Sequence, residues 1–145
     1  MKQPGYIIAV ILFLLPSNTF SQVHEDESST KGWANGHYWE VIDKDAKIQH
    51  LYGVEAGLNL FAKELSGRVK TDSDWNRIEN LRKELTVTGF RFGDVAQQLD
   101  KFFEDRSNIR IPVAYAYLYS VKKMSGETPE TLERYLASLR REWNK

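Results

Sequence analysis

Apolar residues recur at intervals of three and four along most of this chain, with polar residues between them, which is the signature of amphipathic helices. The clearest case runs from Thr128 to Trp143. Leu132, Tyr135, Leu136, Leu139 and Trp143 form one stripe, and Glu133, Arg134, Arg140, Arg141 and Glu142 lie off it. Thr128 suits an N-cap, Pro129 the first helical position, and Glu130 the positive end of the helix dipole. The stretch from Phe90 to Gly126 predicts the central pair. Val95, Leu99, Phe102 and Phe103 share one side of a helix over 95–104 with Asp94 as its cap. A polar elbow from Glu104 to Arg110 leads to a second helix that opens with Pro112 in its first position. It closes at Gly126, a residue able to take the left-handed turn that ends a helix. Tyr115, Tyr117 and Tyr119 alternate with smaller residues, which also suits a strand; Pro112, the alanines and Gly126 favour the helix. On that helix Tyr115 and Tyr119 share a face and Tyr117 points elsewhere.

Two more helices are predicted upstream. One spans Lys44 to Leu65, capped by Asp43 and stopped at Ser66-Gly67, with Ile48, Leu51, Tyr52, Glu55, Leu58, Asn59, Ala62 and Leu65 in its stripe. The other spans Asp74 to Leu85, capped by Ser73 or Asp72. Val87 to Phe92 suits a short extended segment, and His37 to Ile42 a turn or two of helix. The expected fold is all-α, one small domain of about five helices over 33–145.

The N-terminus reads as an export signal. Met1-Lys2 is a short basic start, Tyr6 to Leu15 is unbroken apolar sequence, and Thr19 and Ser21 are small residues placed for cleavage before Gln22. The run is shorter than the ~20 residues a membrane span requires. A lipid anchor would need a cysteine after it, and the chain has none. Residues 1–21 are therefore expected to be a signal peptide, with no stable membrane anchor, and 22–32 a disordered acidic tail. Removing the signal leaves 124 residues with 19 basic and 20 acidic side chains. That balance carries no electrostatic footprint for nucleic acid. The absence of cysteine excludes disulfides and thiolate chemistry, and a periplasmic or secreted location is expected.

Candidate chemistry is sparse. His24, His37 and His50 fall in no HExxH pattern, and no Gly-x-Ser-x-Gly or phosphate loop is present. His50 is expected at an exposed or edge position. Glu55 with Asp100 or Glu104 could in principle form a hydrolytic carboxylate pair. Nothing in the sequence brings them together, so no catalytic residue, cofactor or metal site is assigned. Gln22-Val23-His24 at a free terminus would offer square-planar nitrogen ligands to Cu(II) or Ni(II). Such a terminus also arises by chance, and a leading Gln tends to cyclise.

Gly53 and Gly57 sit inside the long helix, where each costs about 1 kcal/mol relative to alanine. Close helix packing is the favoured explanation. The alternative is a backbone surface opened to a small ligand or glycan, with Gly53, Glu55 and Gly57 as the binding set. Glu55 on an apolar stripe calls for a structural partner such as Arg110 or Lys47. The elbow is the first choice for contact with another protein. Arg106 and Arg110 can grip a carboxylate, Asp105 and Asn108 shape the loop, and the candidate exposed aromatic is Tyr117, or one of Trp33 and Trp39.

A set of short motifs adds a resemblance. Lys47 through Tyr52-Gly53, Glu55, Gly57, Leu99-Asp100, Phe102-Phe103-Glu104-Asp105, Asn108, Ile111-Pro112, Gly126 and Leu136 to Arg140 occur in this order. Covering most of Asp43 to Arg140, the order resembles small exported bacterial helical proteins of unassigned function. It more distantly resembles the Rap/Tai-like periplasmic immunity proteins. Those proteins usually carry cysteines, which this chain lacks. The resemblance implies a non-catalytic interaction protein that occludes a secreted toxin or cell-wall hydrolase. A periplasmic ligand-binding module is the second reading and a small hydrolase the third.

Overall fold

A computed structural model describes residues 27–86 and 89–145. The signal segment, the Gln22-Val23-His24 motif, the first part of the tail and Val87-Thr88 lie outside that set.

The tail departs from expectation before Trp33. Strand β1 (Ser29–Thr30) pairs antiparallel with β2 (Trp33–Ala34), with Thr30 opposite Trp33. Lys31 and Gly32 both take positive φ, 50° and 80°, in the two-residue turn that suits a tight hairpin. One buried side chain accounts for the order. Asn35 donates from Nδ2 to the Glu27 carbonyl at 3.0 Å and to Thr30 Oγ1 at 2.9 Å. Its Oδ1 accepts from the N–H groups of His37 and Tyr38, capping α1 (Gly36–Val41). Lys31 then lies over the Trp143 ring at 4.7 Å and donates to the Glu142 carbonyl. The hairpin is thereby tied to the other end of the chain.

Helix α2 (Lys44–Ser66) opens on Asp43, whose carboxylate accepts from the Ala46 N–H at 2.8 Å. Helix α3 (Asp72–Leu85) starts two residues before the predicted position, because Thr71, rather than Ser73 or Asp72, supplies the cap. Helix α4 (Phe92–Glu104) also starts early. Asp94 lies in its first turn and reaches back to the Arg91 N–H at 3.4 Å, the return half of a capping box. A 3-10 turn, Arg106–Asn108, forms the elbow. Pro112 is the residue before α5 (Val113–Met124), with extended ψ, and Gly126 takes φ 85° after it. The tyrosine-rich stretch is helical, not a strand. Helix α6 (Pro129–Trp143) follows Thr128 as expected. The described residues are therefore all-α apart from the hairpin and the 3-10 turn, with six α-helices among them when the short α1 is included.

The core centres on α4 and α5. Val95, Ala96, Leu99, Phe102 and Phe103 meet Val113, Ala116, Tyr117 and Val121; Leu51 closes one side, and Leu139 and Trp143 another. Helix α3 packs on α2 and α5 but fully buries none of its residues. The closest approach lies under α1. A Cβ on Gly36 would stand 2.5 Å from a Phe103 ring carbon and 2.8 Å from the Ile109 carbonyl oxygen, which already accepts from the Gly36 N–H at 2.8 Å. No described helix is long and apolar enough to cross a membrane.

Candidate functional site

The elbow is locked by its own polar groups. Asp105 accepts from the Ser107 hydroxyl at 2.7 Å and N–H at 2.9 Å, and from Arg140 at 2.5 Å. The Ser107 hydroxyl and N–H, with the Arg140 cation behind them, hold the Asp105 carboxyl below the usual carboxylate range. Asn108 donates to the Phe102 carbonyl at 2.7 Å and accepts from Arg140 Nε at 2.8 Å. Asn144 adds a bond to the Ser107 carbonyl. Arg106 forks onto Glu40 of α1 at 2.7 and 2.9 Å.

Bonding and burial correct two of the predicted contact residues. Asn108 is 3% exposed and fully occupied in holding α4 to α6, so it is not a surface group. Tyr117 is 0% exposed, because its turn of α5 faces the packed centre; it cannot be a docking aromatic. Trp39 is also buried, with its indole N–H on Asp100 at 2.8 Å, whereas Trp33 is half exposed. Asp105 and Arg106 are exposed but already paired, and Arg110 is exposed.

The glycines of α2 behave differently from the favoured expectation. Among the described residues, a Cβ on Gly53 or Gly57 would meet nothing within 4 Å. Neither glycine mediates packing between the described helices. They lie on the outer face of α2 with Gln49, Ala56 and Leu60, all exposed, because the 3.6-residue period turns that face away from Leu51, Leu58 and Ala62. Tyr52 and Phe61 flank it at 52% and 64% exposure, and Leu60 stands at 61%. No charged residue occurs between Gln49 and Leu60 on this face.

Glu55 is not part of that surface. It turns to the inner side, where the Tyr117 hydroxyl donates to Oε2 at 3.4 Å and its charge reaches Arg82. Its partner is therefore Tyr117 rather than Arg110 or Lys47; Lys47 is bound to Asp100 at 2.9 Å. Gly53, Glu55 and Gly57 cannot line one ligand site, since the middle residue faces opposite to the other two. His50 is half-buried against the rings of Tyr38 and Trp39, at 5.4 and 6.5 Å, and burial lowers its pKa. Among the described residues, no three histidine, aspartate or glutamate side chains converge as metal ligands.

Comparison with family models, curated proteins and solved structures finds no match.

The outer face of α2 was hard to find in the sequence. The glycine pair was the available signal, but glycine spacing fits a buried helix crossing and an open surface equally well. Glu40 as the partner of Arg106 had no local signal, because 66 residues separate them.

Proposed function

We propose that this protein is exported and acts as a non-catalytic binding protein, docking a helix of another protein on the outer face of α2. The partner class that fits the resemblance is a secreted toxin or cell-wall hydrolase, occluded in the manner of an immunity protein. One observation carries the reading. Gly53 and Gly57 destabilise α2 and allow no close contact within the described chain. A glycine pair one turn apart lets a second helix approach closely, and the exposed Tyr52, Leu60 and Phe61 supply apolar contact around it. The uncharged character of the face calls for an apolar stripe on the partner helix. The internally bonded elbow supports the domain rather than making the contact.

The test is complex formation with the product of the adjoining gene, followed by light scattering after size exclusion. The wild-type protein should form a defined complex. Gly57→Arg and Leu60→Glu should abolish it while leaving the helical spectrum intact. Absence of a complex, or one that survives both changes, would overturn the reading.

A further inference from the structure

A second feature lies on the other side of the molecule, between α4, α5 and α6. A cleft of about 200 Å3 opens there beside the elbow. Lys101, Lys123 and Arg140 bring three cations to it from three different helices, against a single carboxylate among the described lining residues, Asp105. That carboxylate is already taken by Arg140 and Ser107. Among the described residues, neither lysine enters an ion pair. The cleft is therefore positive, and Arg140 is fixed in place by Asn108 and Asp105.

The wall contains Ser120, which is 1% exposed and whose hydroxyl has no hydrogen-bond partner among the described residues. Buried hydroxyls are normally satisfied, so an orphan calls for a reason. Two other helical serines bond back to a carbonyl in the preceding turn: Ser66 to Ala62 at 2.8 Å and Ser138 to Tyr135 at 2.7 Å. Ser120 does not, and so retains both a proton to give and an acceptor. The rings of Phe102 and Tyr119, 5.1 Å apart, line the same cleft with apolar surface.

We propose that this cleft binds a small organic anion. Its carboxylate or phosphate head would lie between Lys101 and Lys123 and accept from the Ser120 hydroxyl. Its apolar body would rest on Phe102 and Tyr119. The volume falls below the roughly 300–1,000 Å3 of drug-sized pockets, so the body is a single ring or a short chain. The site is separate from the outer face of α2, and either can fail without the other.

The experiment is an amide-resolved NMR titration of the purified protein with benzoate and with phenyl phosphate, using benzyl alcohol and inorganic phosphate as controls. At least one organic anion should cause saturable shifts centred on Tyr119 to Lys123, and the stronger of the two assigns the headgroup. Lys101→Glu combined with Lys123→Glu, both exposed, should weaken that affinity about tenfold or more. Ser120→Ala should weaken it while leaving Tm equal or higher, a combination that a purely structural serine would not give. No saturable shift, equal binding of benzyl alcohol, or an affinity unmoved by Ser120→Ala or by the lysine pair would overturn the anion site. Inorganic phosphate binding as tightly as phenyl phosphate would overturn the role of the two rings.

Discussion

Replacing Gly53 and Gly57 by alanine together tests the central argument. In an exposed helix interior, alanine is favoured over glycine by about 0.5–1 kcal/mol, chiefly because glycine loses more backbone freedom on folding. That gain is realised only if the new methyl meets no obstruction, and both Cβ positions have open space to 4 Å. The two changes should be close to additive, giving about 1–2 kcal/mol. For a domain of this size that corresponds to a rise in Tm of roughly 3–10 °C. Thermal and urea unfolding by circular dichroism would measure it, with an unchanged urea slope showing that the surface exposed on unfolding is the same. Gly36→Ala is the internal contrast. The same methyl there would stand 2.5 Å from Phe103 and 2.8 Å from a backbone carbonyl, so it should lower stability by about 1–3 kcal/mol. If the double α2 variant were no more stable than wild type, the glycines would be serving the fold. Their assignment to an external partner would then be lost. The same double variant should bind the partner more weakly, because the methyls hold the second helix off.

Three further outcomes are expected. Asn108→Ala should cost about 2–4 kcal/mol in urea unfolding, since it strands the buried Phe102 carbonyl and frees Arg140. A change below the error of the measurement would show that the elbow is not locked by this side chain. His50 is held neutral in the folded state by burial, so its contribution to stability is complete above the ordinary value of 6.5 and is lost as pH falls through its lower folded pKa. His50→Gln should flatten that acid-side decline, and an identical pH profile for the two proteins would refute it. Tyr135 is pushed up to about 12, first by burial and then by the nearby Tyr115 and Glu142. Its folded-state preference for the neutral phenol is present below 10 and lost as pH rises toward 12, so Tyr135→Phe should retain more of its stability through alkaline titration.

Much of the architecture was legible in the chain because local rules act over one or two turns. Asp43, Thr128, Pro129 and Gly126 mark helix ends by satisfying or releasing backbone groups within four residues, and each does so in the folded protein. The stripes of α4 and α6 named their buried sides for the same reason, since a helix fixes which residues share a face. Where a helix starts depends on competition among neighbouring caps. Thr71 was chosen over Asp72 and Ser73, and Asp94 serves from inside α4 rather than before it.

What the chain left open was the partner of each face. Periodicity groups Gly53 with Gly57, but whether that group meets another helix or solvent depends on how α2 is rotated against α3 and α4. Tyr117 looked displaced from the tyrosine face of α5, yet its direction became the buried one once α4 and α2 closed over it. The elbow looked open because its residues are polar; Glu40, Arg140 and Asn144 reach it from 35 to 66 residues away. The Ser120 cleft, too, draws its charges from three helices. Helix ends and faces follow from bonds and rotations within a few residues. Burial, pairing and open surface follow from contacts between distant segments, and those are decided only when the helices pack.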